Sequence, residues 1–404
     1  MIAHEDTERT MPRKAKKICL VTPEFPPGTY GGLSRTAGRV AAHLSTAGLD
    51  VHVVHATVAE GVPPLLDEND RIRRQGDLVI HEITLGRESS SGAQRNLWEC
   101  PHTLSLVMLF ESLQILHRRE DFDAFVSFFL YPVGYVVGLA ARGFNRPHVS
   151  CVVGNDIKKY LFSPEKSFLC KSGLDNSDRV VFLSNDLMEL ADAVTPVREK
   201  AGIILNSVNP SVEKWNGPSA DRPFTIGCAG IFKHAKGLPY LLKALAGLRL
   251  TGPATLELAG ETRAEEVRLR EFWLDRLSVR DSVRLRGVVP HDEMPAWLAG
   301  LDAFVLPSVS EGCPNVLMEA MAVGVPCVAS RIGATDILVE NGVSGLLVPY
   351  ADSDALGEAL SGLRAHPELA VSYGCAARER MKLFSCEREA REWTAVLREV
   401  VDFP

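Results

Sequence analysis

The sequence lacks the patterns that would indicate a disulfide-stabilised, secreted or membrane-spanning protein. Its nine cysteines are scattered without a C-x-x-C pair, which favours buried free thiols in a reducing cytoplasm over a disulfide framework. The opening segment, residues 1–14, is polar and has no apolar core, so it does not resemble a secretory signal. The longest apolar stretch, residues 122–141, is interrupted by Asp123, Pro132 and two glycines. We therefore predict a cytoplasmic protein without a membrane span.

The chain also lacks a net positive charge. The formal net charge of −7 argues against general nucleic-acid binding, which needs clustered lysine and arginine. A basic run within residues 13–17 is expected to be a solvated tail, with at most peripheral membrane contact. The glycines of residues 28–38 do not have G-x-G-x-x-G spacing, and the chain has no P-loop motif. The histidines are dispersed without ligand spacing, so we predict no metal site and no other cofactor.

Apolar strands alternate with helical segments along most of the chain. A length of 404 residues with 46% hydrophobic residues predicts two globular domains. A stretch rich in proline, glycine and serine, residues 209–223, separates two similar halves. We predict an α/β fold of two doubly wound parallel-sheet domains facing a cleft, with loops at residues 61–76 and 88–95. A disordered leader (1–16) would precede domains spanning residues 17–208 and 209–386.

The most informative stretch runs from Leu301 to Pro326. An apolar strand leads into a loop that holds Glu311, and a helix carrying Glu319 begins near Pro314. Gly324 is placed to end this helix. In a βαβ crossover the N-terminus of the helix lies at the sheet edge where ligands bind. The stretch therefore predicts an anion site with a carboxylate beside it.

The same residues form the frame E-G-x-P-N-V-x-x-E-A-M-A-x-G-x-P, which resembles the donor-site signature of the family-4 retaining glycosyltransferases. The resemblance extends from Cys19 to about Val401. It implies the GT-B fold, with two Rossmann-like domains, and a hexosyltransferase-type activity. The sugar would pass from a nucleotide-diphosphate donor, such as a UDP-sugar, to an acceptor hydroxyl, with retention and without a metal. The acceptor would be a glycan, a lipid-linked molecule or a small molecule.

The resemblance also implies roles for individual residues. Lys233 and Lys236 match a basic pair that grips the donor diphosphate, while Glu311 would orient the sugar and Glu319 would bind the ribose. Other donor-binding positions lie in loops expected at the cleft: Gly31, Gly32, Gly230, Val288, Gly312, Cys313, Pro314, Asn315 and Val316. Plainer interpretations are lysines on a solvated loop, a simple glycine turn at Gly31–Gly32, and a surface glutamate near a helix start.

The chain departs from the family pattern at two places. Val153 stands where relatives often have a basic residue, which leaves Asp156 as the polar catalytic candidate at that strand end. Asp156 could equally cap the helix that follows it. Ser207 and Asn209 replace a glycine and an aspartate at the domain junction. The last helix, residues 387–401, is expected to return to the first domain.

Two other functions fit this architecture. One is a nucleotide-sugar-binding subunit without catalytic activity, which the departures at Val153 and residues 206–209 favour. The other is a nucleotide-sugar epimerase, whose product would retain the nucleotide. A purely structural α/β protein would make the glutamate frame and the lysine pair coincidental.

Overall fold

Strands from the two halves of the chain form two separate sheets in the computed structural model, which describes residues 15–27, 31–60, 70–87, 103–219 and 221–403. The strands of the first sheet are β1 Lys17–Thr22, β2 Asp50–Glu60, β3 Arg71–Gln75, β4 Leu78–Arg87, β5 Ala124–Phe128, β6 His148–Val152, β7 Arg179–Phe182 and β8 Ala201–Ile203. Their order is β3-β4-β2-β1-β5-β6-β7-β8, and only the β3–β4 pair is antiparallel. The strand order reverses at β1, which is the position where ligands bind in such sheets.

The second sheet is entirely parallel. Its strands are β9 Phe224–Ala229, β10 Ala254–Ala259, β11 Val283–Gly287, β12 Ala303–Leu306, β13 Cys327–Ser330 and β14 Leu346–Val348. Their order is β11-β10-β9-β12-β13-β14, so the reversal lies at β9. Two sheets of this kind confirm the predicted α/β class.

Helices cover the faces of both sheets. Those of the first half are α1 Gly32–Thr46, α2 Thr103–Glu120, α3 Tyr135–Gly143, α4 Asn155–Lys158, α5 Pro164–Asp175 and α6 Asn185–Asp192. Those of the second half are α7 Leu238–Arg249, α8 Ala264–Arg276, α9 Met294–Ala299, α10 Asn315–Val323, α11 Thr335–Leu338, α12 Ser353–Ala365, α13 Pro367–Met381 and α14 Cys386–Arg398. None of these helices is both long enough and apolar enough to cross a bilayer.

Strand β1 illustrates why the central strands are apolar throughout. Ile18 and Leu20 face the core that contains α1, whereas Cys19 and Val21 face a second core beneath α2 and α3. Because successive side chains alternate between the faces, a strand covered on both sides has no polar position. This burial also raises the pKa of the Cys19 thiol far above its usual range, which makes it an inert core residue.

The predicted loop at residues 61–76 is wrong for its last part. Arg71–Gln75 forms the edge strand β3, which turns at Gly76 and pairs antiparallel with β4. The segment RIRRQ is mostly exposed, so it lacks the alternating apolar pattern by which a half-buried strand is recognised. Strand β4 and helix α2 were also not predicted, and the predicted loop at residues 88–95 lies outside the described ranges.

The last helix returns to the first domain, where α14 packs on α1. Glu389 on α14 is 1% exposed, and its carboxylate receives hydrogen bonds from Arg39 Nε at 2.5 Å and Arg39 Nη2 at 3.2 Å. Burial by itself would raise the pKa of Glu389, but hydrogen bonds from His43, Arg39 and Ser207 lower it to about 2. The ion pair therefore fixes the chain's end to its beginning.

Replacing this carboxylate should destabilise the protein. We expect Glu389→Gln to lower the free energy of unfolding in urea by several kcal/mol, near the low end of the roughly 3–5 kcal/mol typical of broken buried pairs. The expected loss lies at the low end of this range because Arg39 is still partly exposed to solvent. Glu358→Gln, at an exposed position of α12, is the matched control and should change little.

The pH dependence provides a second measurement. The pKa of Glu389 is depressed from an ordinary value of 4.5 to about 2. Between pH 4.5 and pH 2, Glu389 therefore binds a proton in the unfolded chain but not in the folded one. Its stabilising contribution is complete above pH 4.5 and is lost as the pH falls toward 2. The stability difference between wild type and Glu389→Gln should shrink over that window, and a constant difference would contradict the assignment.

Candidate active site

The carboxyl ends of the two sheets meet across a cleft. Gly154 follows β6 in the first domain, and its backbone lies against Gly312, which follows β12 in the second. A Cβ placed on Gly312 would lie only 2.5 Å from the carbonyl oxygen of Val153. Lys158 also spans the cleft, since its Nζ donates to the carbonyl oxygen of Glu311 at 3.0 Å. The strand ends identified from the sequence in each half therefore face one another.

Lys236 and Glu311 form an ion pair at the carboxyl edge of the second domain's sheet. Lys236 Nζ lies 2.6 Å from Glu311 Oε1, and the two side chains are 15% and 16% exposed. The hydroxyl of Ser308 donates to the same oxygen at 2.8 Å. Gly230, with φ of +138°, turns the chain so tightly that an added Cβ would meet Lys236 Cε at 3.0 Å. The carboxylate of Glu311 is thus oriented by a cation and a buried hydroxyl.

Lys233 lies in a strongly positive environment. Burial lowers the pKa of its ammonium group, and the neighbouring Arg263 and Lys236 lower it further. Glu311 opposes this effect, while Lys159 from the first domain adds to it. Cations thus outnumber carboxylates around Lys233, which suits the binding of a polyanion. Sequence analysis missed Arg263 and Lys159 because neither belongs to the recognised motifs.

Helix α10 begins where the two domains touch. Pro314 is its N-cap residue, in agreement with the start predicted near Pro314, and Gly324 ends it with φ of +90°. Asn315 Nδ2 donates to the carbonyl oxygen of Gly32, the first residue of α1, at 3.3 Å. Gly31 is the N-cap of α1. The N-termini of both helices therefore lie at the cleft.

The domain junction supports the same loop. Asn206 Nδ2 donates to the carbonyl oxygen of Cys313 at 3.0 Å, and the hydroxyl of Ser207 donates to Glu389. Ser207 thereby joins the junction to α14. This gives the departure from the family pattern at that position a structural role.

Two predicted donor-binding side chains point into the protein. Cys313 and Val316 are 8% and 9% exposed, and burial raises the pKa of the Cys313 thiol to about 12. Only the backbone at these positions is suited to contact a ligand. Val288, in contrast, is exposed on a separate loop that follows β11.

Asp156 follows β6 in the first domain and is held by the backbone around it. It is fully buried, and its carboxylate accepts hydrogen bonds from the backbone N–H groups of Leu130, Val153 and Gly154 at 3.0, 3.1 and 2.7 Å. Burial raises the pKa of Asp156, although these hydrogen bonds oppose the rise. The carboxylate holds the loop that meets Gly312, which favours a structural role for Asp156 over the catalytic one.

Glu319 lies on α10 and faces the first domain. Its Oε1 pairs with Arg35 Nη1 of α1, and its side chain is 16% exposed. Across the described part of the chain, no group of three or more histidine, cysteine, aspartate or glutamate residues is arranged as metal ligands would be. The site is therefore formed by cations, two glutamates and the starts of two helices.

Both halves of the chain match known protein families. Residues 31–206 match a glycosyl transferase 4-like domain, and residues 223–366 match the group 1 glycosyl transferases. Glycogen synthase from Mycobacterium tuberculosis is 25% identical over 394 residues, which cover 90% of this chain and 90% of the relative.

Solved structures have the same architecture. Sucrose-phosphate synthase from Thermosynechococcus elongatus superimposes with a TM-score of 0.77 at 21% identity, covering 95% of this chain and 98% of that one. HepE from Anabaena, solved in complex with UDP-glucose, superimposes with a TM-score of 0.72 at 18% identity, covering 95% and 99% of the two chains.

Fold and site together define a glycosyltransferase with the GT-B fold. The chain belongs to the family-4 type of these enzymes, which confirms the resemblance carried by the glutamate frame.

The contact at Gly312 generates a prediction. In Gly312→Ala the new methyl group would overlap the carbonyl of Val153, so the domains must separate or the backbone must shift at a cost of roughly 1–3 kcal/mol. We expect a larger radius of gyration in small-angle X-ray scattering. In the control Gly247→Ala, the added Cβ meets no heavy atom within 4 Å, so the radius should not change. An unchanged radius and stability in Gly312→Ala would show that this contact does not hold the cleft.

Proposed function

We propose that the protein is a retaining hexosyltransferase that moves a sugar from a nucleoside diphosphate, with UDP as the favoured nucleotide, to an acceptor hydroxyl. The observation that carries the proposal is the pair formed by Lys236 and Glu311, 2.6 Å apart in a half-enclosed cleft. A cation for the departing diphosphate and a carboxylate for the sugar hydroxyls thus share one hollow. The complex of HepE with UDP-glucose supports the choice of UDP.

In the proposed reaction, the bond between the sugar's anomeric carbon and the diphosphate oxygen breaks while the acceptor oxygen bonds to the same face of that carbon. The acceptor proton passes to an oxygen of the leaving phosphate. Lys236 and Lys233 stabilise the negative charge that develops on the diphosphate, together with the amides at the start of α10. Lys236 can serve Glu311 and a phosphate at once because an ammonium group has three donors.

This scheme needs no carboxylate nucleophile of the kind used by retaining hydrolases. The carboxylate of Asp156, at the strand end of the first domain, already accepts hydrogen bonds from three backbone N–H groups. Glu311 is held by Lys236 and Ser308, which suits binding of sugar hydroxyls. Its role in the proposal is therefore to orient the donor.

We further propose that no metal ion or other cofactor is required. Around Lys233, positive charge is supplied by Arg263, Lys236 and Lys159, and a divalent ion would otherwise supply such charge to a leaving diphosphate. The acceptor, whether a glycan, a lipid-linked molecule or a small molecule, would enter from the first domain. The buried free thiols favour a reducing compartment such as the cytoplasm.

A panel of UDP-, GDP- and ADP-sugars tests the function. Ligands that bind the folded state raise the thermal unfolding temperature, and reaction products are then followed by NMR. Free nucleoside diphosphate with a glycoside of unchanged anomeric configuration supports the proposal. An isomerised nucleotide sugar would identify an epimerase, and binding without turnover would identify a non-catalytic subunit.

Lys236→Ala should lower turnover by about 10²–10³-fold, because it removes a preorganised donor to the developing charge. The matched control Lys243→Ala changes an exposed lysine on α7 and should leave turnover intact. A folded Lys236→Ala variant with wild-type turnover would exclude the proposed role of this ammonium group.

Metal removal should leave the rate unchanged. We expect the same initial velocity in excess EDTA as in added Mg²⁺ or Mn²⁺, measured at constant ionic strength because exposed charges are screened by salt. A velocity that collapses in EDTA and returns with one metal would refute the metal-independent part of the proposal.

A further inference from the structure

Arg35 of the first domain contacts the donor side of the cleft. It lies one turn into α1, and its Nη1 pairs with Oε1 of Glu319 on α10. The same nitrogen lies 3.3 Å from Nδ1 of His291, on the loop between β11 and α9. One guanidinium group thus joins the first domain to two separate segments of the second.

The two oxygens of Glu319 have different environments. Oε1 is paired with Arg35, whereas Oε2 is buried and accepts no hydrogen bond from the residues that the structure describes. A buried carboxylate oxygen without a donor is unfavourable, so a donor from a bound molecule would stabilise it. A ribose hydroxyl would supply the missing donor.

A second contact brings the same two helices together. Asn315 Nδ2, in the first turn of α10, donates to the carbonyl oxygen of Gly32 in the first turn of α1. The approach of α1 to α10 therefore does not depend on one long side chain. The guanidinium of Arg35 meets the carboxylate while the domains are in contact.

We propose that Arg35 is a positioning residue for the donor: it holds Glu319 so that Oε2 accepts a ribose hydroxyl only when the two domains are closed. This inference rests on the proposed function and on the ribose-binding role that the family resemblance implies for Glu319. It predicts that nucleotide affinity depends on a residue of the opposite domain. It also predicts that Arg35 strengthens the binding of ribonucleotides but not of nucleotides that lack the hydroxyl contacted by Glu319.

If Arg35 had the opposite role, its removal would change nucleotide affinity in the opposite direction. If Arg35 competed with the nucleotide for Glu319, removing the guanidinium would free both carboxylate oxygens and tighten binding. The direction of the affinity change on removing the guanidinium therefore distinguishes positioning from competition. Arg35→Lys distinguishes them further, because lysine keeps the charge but loses the planar fork that fixes carboxylate geometry.

Isothermal titration calorimetry provides the test. UDP, GDP and ADP are titrated first, and the tightest of them is compared with its 2′-deoxy and 3′-deoxy forms. Wild type should bind one deoxy form about tenfold more weakly, the order expected for one charge-assisted hydrogen bond. Arg35→Ala should weaken the ribonucleotide by a similar factor and leave that deoxy form unchanged, and Arg35→Lys should restore part of the loss.

Controls separate a local effect from unfolding. Arg118→Ala, at an exposed position of α2, should bind like wild type, and Arg35→Ala should have the wild-type unfolding temperature without nucleotide. In the Glu319→Gln background, Arg35→Ala should add no further loss. In turnover assays the donor KM should rise while kcat stays within about twofold.

The possible failures are distinguishable. Unchanged or tighter ribonucleotide binding by Arg35→Ala, with wild type still preferring ribose, would overturn the role of Arg35 alone. Equal binding of all ribo and deoxy forms by wild type would remove Glu319 from ribose recognition, and the role of Arg35 with it. No binding of any nucleoside diphosphate would refute the proposed function itself.

Discussion

The site depends on a backbone contact between domains, in which Gly312 lies against the carbonyl of Val153 and the backbone of Gly154. No side chain larger than hydrogen fits at Gly312 without displacing main-chain atoms, so the two domains meet backbone to backbone at this point. Asp156 supports it from the first domain by accepting three backbone N–H groups of the adjoining loop. A buried carboxylate that sequence analysis placed in catalysis thus supports the shape of the active site.

Within that cleft, positive charge exceeds negative charge around Lys233. Lys233 is half-buried among other cations, and its lowered pKa reflects burial first and the neighbouring Arg263 and Lys236 second. A dianionic leaving group would relieve this repulsion, so the site is better suited to a diphosphate than to a neutral ligand. Glu311 is the carboxylate held directly against Lys236, which in the proposed reaction places the group that orients the sugar beside the leaving charge.

The last helix is also fixed to the first domain away from the cleft. Glu389 of α14 pairs with Arg39 of α1, and Ser207 at the junction donates to the same carboxylate. Helix α1 therefore contacts α14 through Arg39 and approaches the donor domain through Arg35, one helical turn earlier. A change in domain closure would affect the contacts of both arginines because they belong to the same rigid helix.

The sequence by itself determined the α/β class, the strand that precedes Glu311 and the helix that carries Glu319, because apolar strands and glycine stops are local patterns. It did not indicate the exposed strand Arg71–Gln75, whose charged residues show no apolar period. Only the tertiary structure decided that Asp156 is buried among backbone donors, that Lys158 reaches Glu311 and that Arg35 reaches Glu319. These contacts join residues 153 to 284 positions apart or depend on burial, and such properties arise only when the chain brings distant segments together.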